Sequence, residues 1–322
     1  MADAETEGSL SASGAAGVRV FSPGDPAYDE LLWSARHGIA GHTYDLVPGV
    51  PQRLDRQVTR LIAPNPGVMT GPGTNTYLVG ERELAVIDPG PDDPAHVAAI
   101  VAAAQGRIRW ILCTHTHFDH APAAAALQRA TGASIAGQPA PLTRHDASVK
   151  LDRVLSHGDA VSVGTTLQAV ATPGHASNHL CYLLPETGML FTGDHIMQGS
   201  TVVILPPDGD MRAYLQSLVR LLDLPLHVLA PGHGYLMGQP HAVARRLIQH
   251  RLTREGKVRR ALQKTDGAVS LAALLLEVYD DVPSTLHPLA ARSLQAHLDK
   301  LVGDGEVRHA GGSYVRTSAT GG

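Results

Sequence analysis

Short apolar runs alternate with Gly-, Pro- and Asp-rich breaks along most of the chain, a rhythm of strands and helices. Runs at 77–79 and 84–87 flank the charged Glu81-Arg82-Glu83 and predict two strands joined by a hairpin with its polar tip in water. Asp88-Pro89-Gly90 ends the second run. Ala and Val recur over 94–105 as in a helix. Residues 110–113 form a short apolar strand, and Pro122 stands where a helix over 123–130 would begin. Further strands are predicted near 134–136, 161–163, 167–171, 180–184, 189–192 and 202–204, with a helix at 211–222 and a strand at 227–230. This alternation belongs to an α/β protein whose sheets are covered by helices. Residues 18–60 carry no clear period, and no repeat at solenoid spacing is present.

The pattern changes after Pro240. Residues 241–261 read as a basic helix, 270–279 as an apolar helix, and a third helix runs from Pro288 to near 302. Segments 306–309 and 313–316 then flank Ala310-Gly311-Gly312 as a hairpin. Helices followed by a small hairpin have the outline of a winged helix. The expected division is a disordered tail over 1–17, a catalytic domain over 18–240, a winged-helix-like module over 241–316 and a frayed end over 317–322.

Composition narrows the class. Hydrophobic residues are 43% of the 322, enough for a sizeable core, but aromatics are only 4%, so Ala, Val and Leu must do the packing. Cys113 and Cys181 each lie in an apolar run and are expected to be buried free thiols, not a disulfide framework. The tail over 1–17 has no apolar signal-peptide core, and no stretch is apolar enough to span a membrane. A cytoplasmic protein without membrane contact is expected. Net charge is −4 with histidine neutral, which argues against a nucleic-acid coat protein.

The 18 histidines are the anomaly. His115-x-His117-x-Asp119-His120 lies on the turn between a predicted strand and a predicted helix. In extended or turn backbone, side chains at i and i+2 point the same way, so His115 and His117 reach one metal, while Asp119 and His120 reach a second. Three later strand ends add donors: His175 in Thr172-Pro173-Gly174-His175, Asp194 in Thr192-Gly193-Asp194 as a bridging candidate, and His233 in Pro231-Gly232-His233-Gly234. Imidazole and carboxylate suit zinc, the expected pair of divalent ions, with iron or manganese as alternatives.

This set resembles the metallo-β-lactamase superfamily. Gly71-Pro72-Gly73-Thr74-Asn75-Thr76-Tyr77, Ile87-Asp88-Pro89-Gly90 and the tail from His287-Pro288 extend the resemblance, over residues 60–310, to its lactamase-β-2-like branch. The resemblance implies an αββα sandwich with metals at one edge. It implies one site from His115, His117 and His175, another from Asp119, His120 and His233, and Asp194 bridging them. Two ions would then hold a hydroxide at neutral pH that attacks a carbonyl carbon or a phosphorus. Asp119 would aim it. His179 and His195 are further catalytic candidates for protonating a leaving group or binding an oxyanion. Asn75 and Asp88 are expected to serve as structural support.

The substrate is less legible. An ester, thioester or lactone, small or carried on an acyl carrier, is the first expectation. Single-stranded RNA is the alternative, because 241–260 holds seven basic residues against one acidic. Against it, 266–316 holds four basic residues and seven acidic ones, and stacking aromatics are scarce. A mono-iron persulfide dioxygenase would leave Asp119 and His120 spare, the flavodiiron type has Glu where His117 stands, and no exosite arm of a transfer-RNA-processing nuclease is present. β-Lactam hydrolysis is expected only as a side activity. A regulatory winged-helix protein with a vestigial site is disfavoured by the seven intact donors.

Overall fold

The computed structural model describes residues 46–141, 145–265 and 267–317. The tail expected over 1–17 and the end at 318–322 lie outside the described residues, as does 18–45. Two sheets form the larger part. The first has seven strands in sequence order: β1 (Gln52–Arg53), β2 (Val58–Ile62), β3 (Asn75–Val79), β4 (Leu84–Ile87), β5 (Ile108–Leu112), β6 (Ser134–Gly137) and β7 (Arg153–Val154). β1 to β4 pair antiparallel, and β4 to β7 pair parallel. The second sheet runs β12 (Val228–Pro231), β11 (Met189–Gly193), β10 (Leu180–Leu184), β9 (Thr166–Ala171) and β8 (Ala160–Ser162). Its β11–β12 pair is parallel and the others antiparallel.

The period-2 side-chain alternation sorts each strand between two cores. Tyr77, Val79, Ile87 and Leu112 of the first sheet meet Leu167, Ala169, Tyr182 and Phe191 of the second in the space between the sheets. The intervening residues Leu78, Val86, Ile111 and Ile135 pack outward against Ile100 of α1 (Pro94–Ala104) and Leu127 of α2 (Ala123–Thr131). On the far side, Val170, Cys181, Leu190 and Leu229 pack against Tyr214 and Leu218 of α3 (Met211–Leu221) and Val243 and Leu247 of α4 (Pro240–Gln263). The result is the αββα sandwich. β3, β4, β10 and β11 are buried along their whole length, as strands covered on both faces must be. Helix starts follow local rules: Asp93 caps α1 by accepting from the N–H of His96, and Asp210 caps α3 by accepting from that of Ala213. Both cysteines are buried and free, and burial pushes both thiols up.

The C-terminal part builds a fourth cluster. α5 (Leu271–Val278), α6 (His287–Gly303), the second half of α4 and a three-stranded sheet, β13 (Val269–Ser270), β15 (Ser313–Arg316) and β14 (Val307–Ala310), bury Val258, Leu274, Leu294, Leu298 and Tyr314. α4 therefore serves two cores, the sandwich with its first half and the small module with its second.

Inside this module Glu255 is 1% exposed and meets Lys300 at 2.9 Å, Arg259 at 2.8 Å and His297 at 3.5 Å. Burial alone would raise its pKa, but the facing His297 ring, the Lys300 hydrogen bond and the Lys300 charge hold it below the usual range. A depressed carboxylate contributes stability above its unfolded pKa of about 4.3 and loses it as pH falls through the folded value. Glu255→Gln is expected to cost about 1–3 kcal/mol at pH 7, because Lys300 and Arg259 each lose one of their two carboxylate partners. The gap should close below pH 4.5; urea melts from pH 7 to pH 3 measure it, and a constant gap would exclude this role.

One strand expected from the sequence is absent. Residues 202–204 are buried, yet the backbone there joins no ladder. The carbonyl of Val202 accepts from Arg251 and that of Val203 from His175, so side chains satisfy groups that a neighbouring strand would otherwise take. β1, β2, β7 and β13 were not anticipated.

Candidate metal centre

All seven donors converge at one edge of the sandwich. His115, His117, Asp119 and His120 follow β5, His175 follows β9, Asp194 follows β11, and His233 follows β12. Their donor atoms form two groups, each with every atom within 4.8 Å of the others: His115, His117 and His175, then Asp119, His120, Asp194 and His233. In the first, the Nδ1 of His117 lies 2.8 Å from the Nε2 of His115 and 3.0 Å from that of His175. In the second, one oxygen of Asp194 is 3.3 Å from the Nε2 of both His120 and His233. The other oxygen of Asp194 is 3.6 Å from the Nε2 of His175, so this carboxylate faces both groups. Asp119 approaches the Nε2 of His233 at 3.2 Å and that of His120 at 3.5 Å.

The hydrogen bonds behind these rings show what the site accommodates. His120 donates from Nδ1 to Asp88 at 2.9 Å, His175 to the Val203 carbonyl at 2.7 Å, and His233 to the Gly73 carbonyl at 3.3 Å. The Thr114 hydroxyl donates to Asp88 at 2.8 Å and so receives the Nδ1–H of His115 at 2.9 Å. Four rings thus carry their proton on the outer nitrogen and turn a bare Nε2 inward, the tautomer a cation requires. The Nε2 atoms of His120 and His233 and the Oδ1 of Asp194 are buried with no hydrogen-bond partner. Such unsatisfied groups are costly unless something binds them. Two divalent cations fit this donor set.

Electrostatics divide the two groups. Burial, then neighbouring histidines, holds His115 well below its usual pKa and His117 at about 3, so these rings are neutral. Burial also opposes charge on His120, but Asp119, Asp194 and Asp88 outweigh it and raise its pKa. Burial would raise Asp194, yet His233 and His120 hold it well below the carboxylate range. The second group therefore draws positive charge to itself.

Asp88 adopts the left-handed φ of 51° and also accepts from the backbone N–H of Thr114 at 2.7 Å. It thereby anchors the start of the His115–His120 turn and the ring of His120 together. Asp88→Asn keeps this backbone, which Asn tolerates, but removes the charge facing His120. Metal affinity is expected to fall about 10–100-fold with the fold intact. Competition with a chromogenic chelator measures it; unchanged affinity would mean that the Asp88–His120 contact is only structural.

Close approach explains two glycines. A Cβ on Gly232 would stand 2.7 Å from the Cε1 of His120 and 2.9 Å from the Oδ1 of Asp194. On Gly174, at φ +145°, it would stand 2.4 Å from the Cα of Tyr214. Gly174→Ala is expected to cost about 1–3 kcal/mol, since the loop carrying His175 must lift off α3. Thermal unfolding checks this, and an unchanged Tm would mean that the loop has slack.

The remaining candidates occupy distinct places. His179 accepts the Asp194 N–H on Nε2 at 3.2 Å, while its Nδ1 meets the Thr172 hydroxyl at 2.9 Å. His195 is fully buried against the Tyr214 ring, and neither nitrogen has a hydrogen-bond partner. Burial, with His175 and Arg220 adding to it, lowers its pKa to about 3. Asn75 reaches much further than its own turn, donating at 2.9 Å to the carbonyls of Pro231 and Gly234 and so clamping the His233 loop. Sequence reading missed His145, whose ring stacks on His117 at 4.4 Å between centroids and bonds the Thr116 hydroxyl and Asp208. It lies in an unpatterned stretch with no spacing signal. His117 and Asp119 are the only partly open donors, and Phe118 between them is 63% exposed.

An αββα sandwich with paired His/Asp clusters at one edge defines a metallohydrolase-type scaffold. The model of the metallo-beta-lactamase superfamily matches residues 69–233, and that of the beta-lactamase associated winged helix domain matches 270–315. The chain belongs to the metallo-beta-lactamase superfamily and carries the associated winged helix domain. It is 30% identical to the Beta-lactamase-like protein 2 homolog of Drosophila melanogaster, an alignment spanning 82% of this chain and 93% of that one. It is 31% identical to an atrochrysone carboxyl ACP thioesterase of Aspergillus chevalieri, over 87% and 92% of the two chains. Among solved structures, a beta-lactamase domain protein from Burkholderia ambifaria superposes with a TM-score of 0.71 at 20% identity, covering 85% of this chain and 96% of that one. The chain is thus a hydrolase of this superfamily with a two-cluster His/Asp site. Among the described residues, no helix is long and apolar enough to cross a membrane.

Proposed function

We propose that this hydrolase cleaves a carboxyl ester, thioester or lactone, with an acyl thioester on a carrier as the first candidate. The observation that carries the choice over RNA is the state of the basic helix. Of the seven cations on 241–260, Arg246 and Arg251 are buried, Arg254 and Lys257 pair with Asp281 and Asp280, and Arg259 pairs with Glu255 and Glu306. Arg245 and Arg260 alone are exposed. That leaves no continuous track for phosphates. The thioesterase relative of similar length supports the same choice.

His115, His117 and His175 would hold one ion and Asp119, His120 and His233 the other, with Asp194 shared. The expected metal is zinc. When bound, the ions would acidify water toward neutral pH and draw off charge developing on the substrate oxygen. The protein's part is positioning. Asp119, open on one side, accepts a hydrogen bond from the attacking water and aims it at the acyl carbon. His179 holds the Asp194 backbone through its accepting Nε2, a positioning role. His195 supports the turn after β11 from the core, with its ring neutral at working pH. Phe118 offers an apolar wall where the acyl group arrives. No serine or cysteine nucleophile is needed, and both thiols are out of reach in the core.

The test is thiol release from an acyl-pantetheine thioester by zinc-loaded protein, beside an end-labelled single-stranded RNA. Thioester turnover that chelator abolishes, with intact RNA, is the expected result. Metal-dependent RNA cutting without thiol release would overturn the reading in favour of a nuclease.

A further inference from the structure

A cavity of about 240 Å³ lies between the 200–203 segment of the sandwich and the C-terminal module. Its walls are mostly apolar, with Val203 on one side and Tyr279, Leu286, Leu289 and Ala290 on the other. Among the polar residues that also line it, His250, Arg251 and Arg254 carry the ionisable groups, and Arg251 stands apart. This residue lines the cavity, is only 3% exposed, and has no carboxylate within salt-bridge distance among the described residues. One of its Nη groups donates to the Val202 carbonyl and its guanidinium lies over the Tyr214 ring, but its Nε is buried without a hydrogen-bond partner. The other cations of α4 that face the module have carboxylate partners. A buried cation without an anion is costly, and protein interiors normally pair it.

His250, next in the wall, strengthens the case. Its Nδ1 is also buried without a partner. Burial first, then the charges of Arg251 and Arg254, lowers its pKa to about 3. The ring stays neutral in a strongly positive setting. Arg254, the other lining cation, is already held by both oxygens of Asp281.

We propose that this cavity binds an amphipathic carboxylate, with the carboxylate on Arg251 and the apolar chain between Leu286, Leu289 and Tyr279. Charge complementarity selects an acid over an alcohol. The volume equals that of about eight waters at about 30 Å³ each, room for a medium-length chain. The site is separate from the seven donors but adjoins them, because the carbonyl of Val203 holds the His175 ring. It does not depend on which substrate the metal centre cleaves.

Calorimetric titration of the zinc-loaded full chain with octanoate, 1-octanol and acetate tests it. Octanoate should saturate one site, octanol should bind at least tenfold more weakly, and acetate should not bind detectably. Leu286 is 44% exposed at the cavity wall, so Leu286→Glu should fold normally and weaken octanoate at least tenfold by repulsion. Leu289→Trp, which fills the space and keeps Arg251, should abolish binding. Absence of octanoate binding, equal binding of octanol, or wild-type affinity in both variants would overturn the proposal.

Discussion

Asp194→Ala is expected to lose at least about 100-fold in turnover together with most of its bound metal. Removing a contact behind a ligand commonly costs 10–100-fold, and Asp194 stands in front, facing both donor groups. Its loss would remove the carboxylate that faces His120 and His233 at 3.3 Å and balances positive charge held there. Asp194→Asn should fail nearly as badly, because the negative charge, more than the shape, balances two cations. Metal content by mass spectrometry, beside thiol release and a thermal melt, separates the causes. Two ions per chain with full activity would refute the shared role; a collapsed melt would show that Asp194 acts through folding.

A chain ending at Pro240 is expected to be insoluble or unfolded. The cut removes Val243 and Leu247 from the core over the second sheet and uncovers Tyr214 and Leu218 of α3. Each lost aliphatic side chain is worth about 1.5–3 kcal/mol, against a total stability of about 5–15 kcal/mol. Ala296 of α6 belongs to the same core, so the module is wedged into the sandwich. Arg251 also disappears, and with it the bond that steadies Val202 beside the carbonyl holding His175. Centrifugation and circular dichroism of the fragment measure the outcome. A soluble fragment with a cooperative melt and bound metal would mean that residues 1–240 stand alone and the module is an accessory.

The contrast between α4 and the metal loops shows where sequence reasoning stopped. The cationic face of 241–260 is plain in the sequence, and reads equally well as a phosphate track. Only folding brings Asp280, Asp281 and Glu306 against it and neutralises it locally. Likewise Val202-Val203-Ile204 has the composition of a strand, but whether a strand forms depends on who takes its carbonyls. Here the takers are Arg251 and His175, 49 and 28 residues away. His145 and the cavity beside Arg251 are assembled from segments with no mutual spacing, so no local pattern announces them.

What the sequence determined by itself was the alternation of strands and helices, the His-x-His-x-Asp-His turn, and the later His175, Asp194 and His233 at strand ends. These follow from short-range rules: side-chain period, turn residues and capping. The family resemblance added the expected partition into two sites. Tertiary structure alone decided which nitrogen each imidazole turns inward, which carboxylate faces both groups, and that Arg251 is buried with no carboxylate beside it among the described residues. Those are properties of contacts between residues up to 160 positions apart, set by how two sheets and a module pack, and packing is not written in any local stretch of the chain.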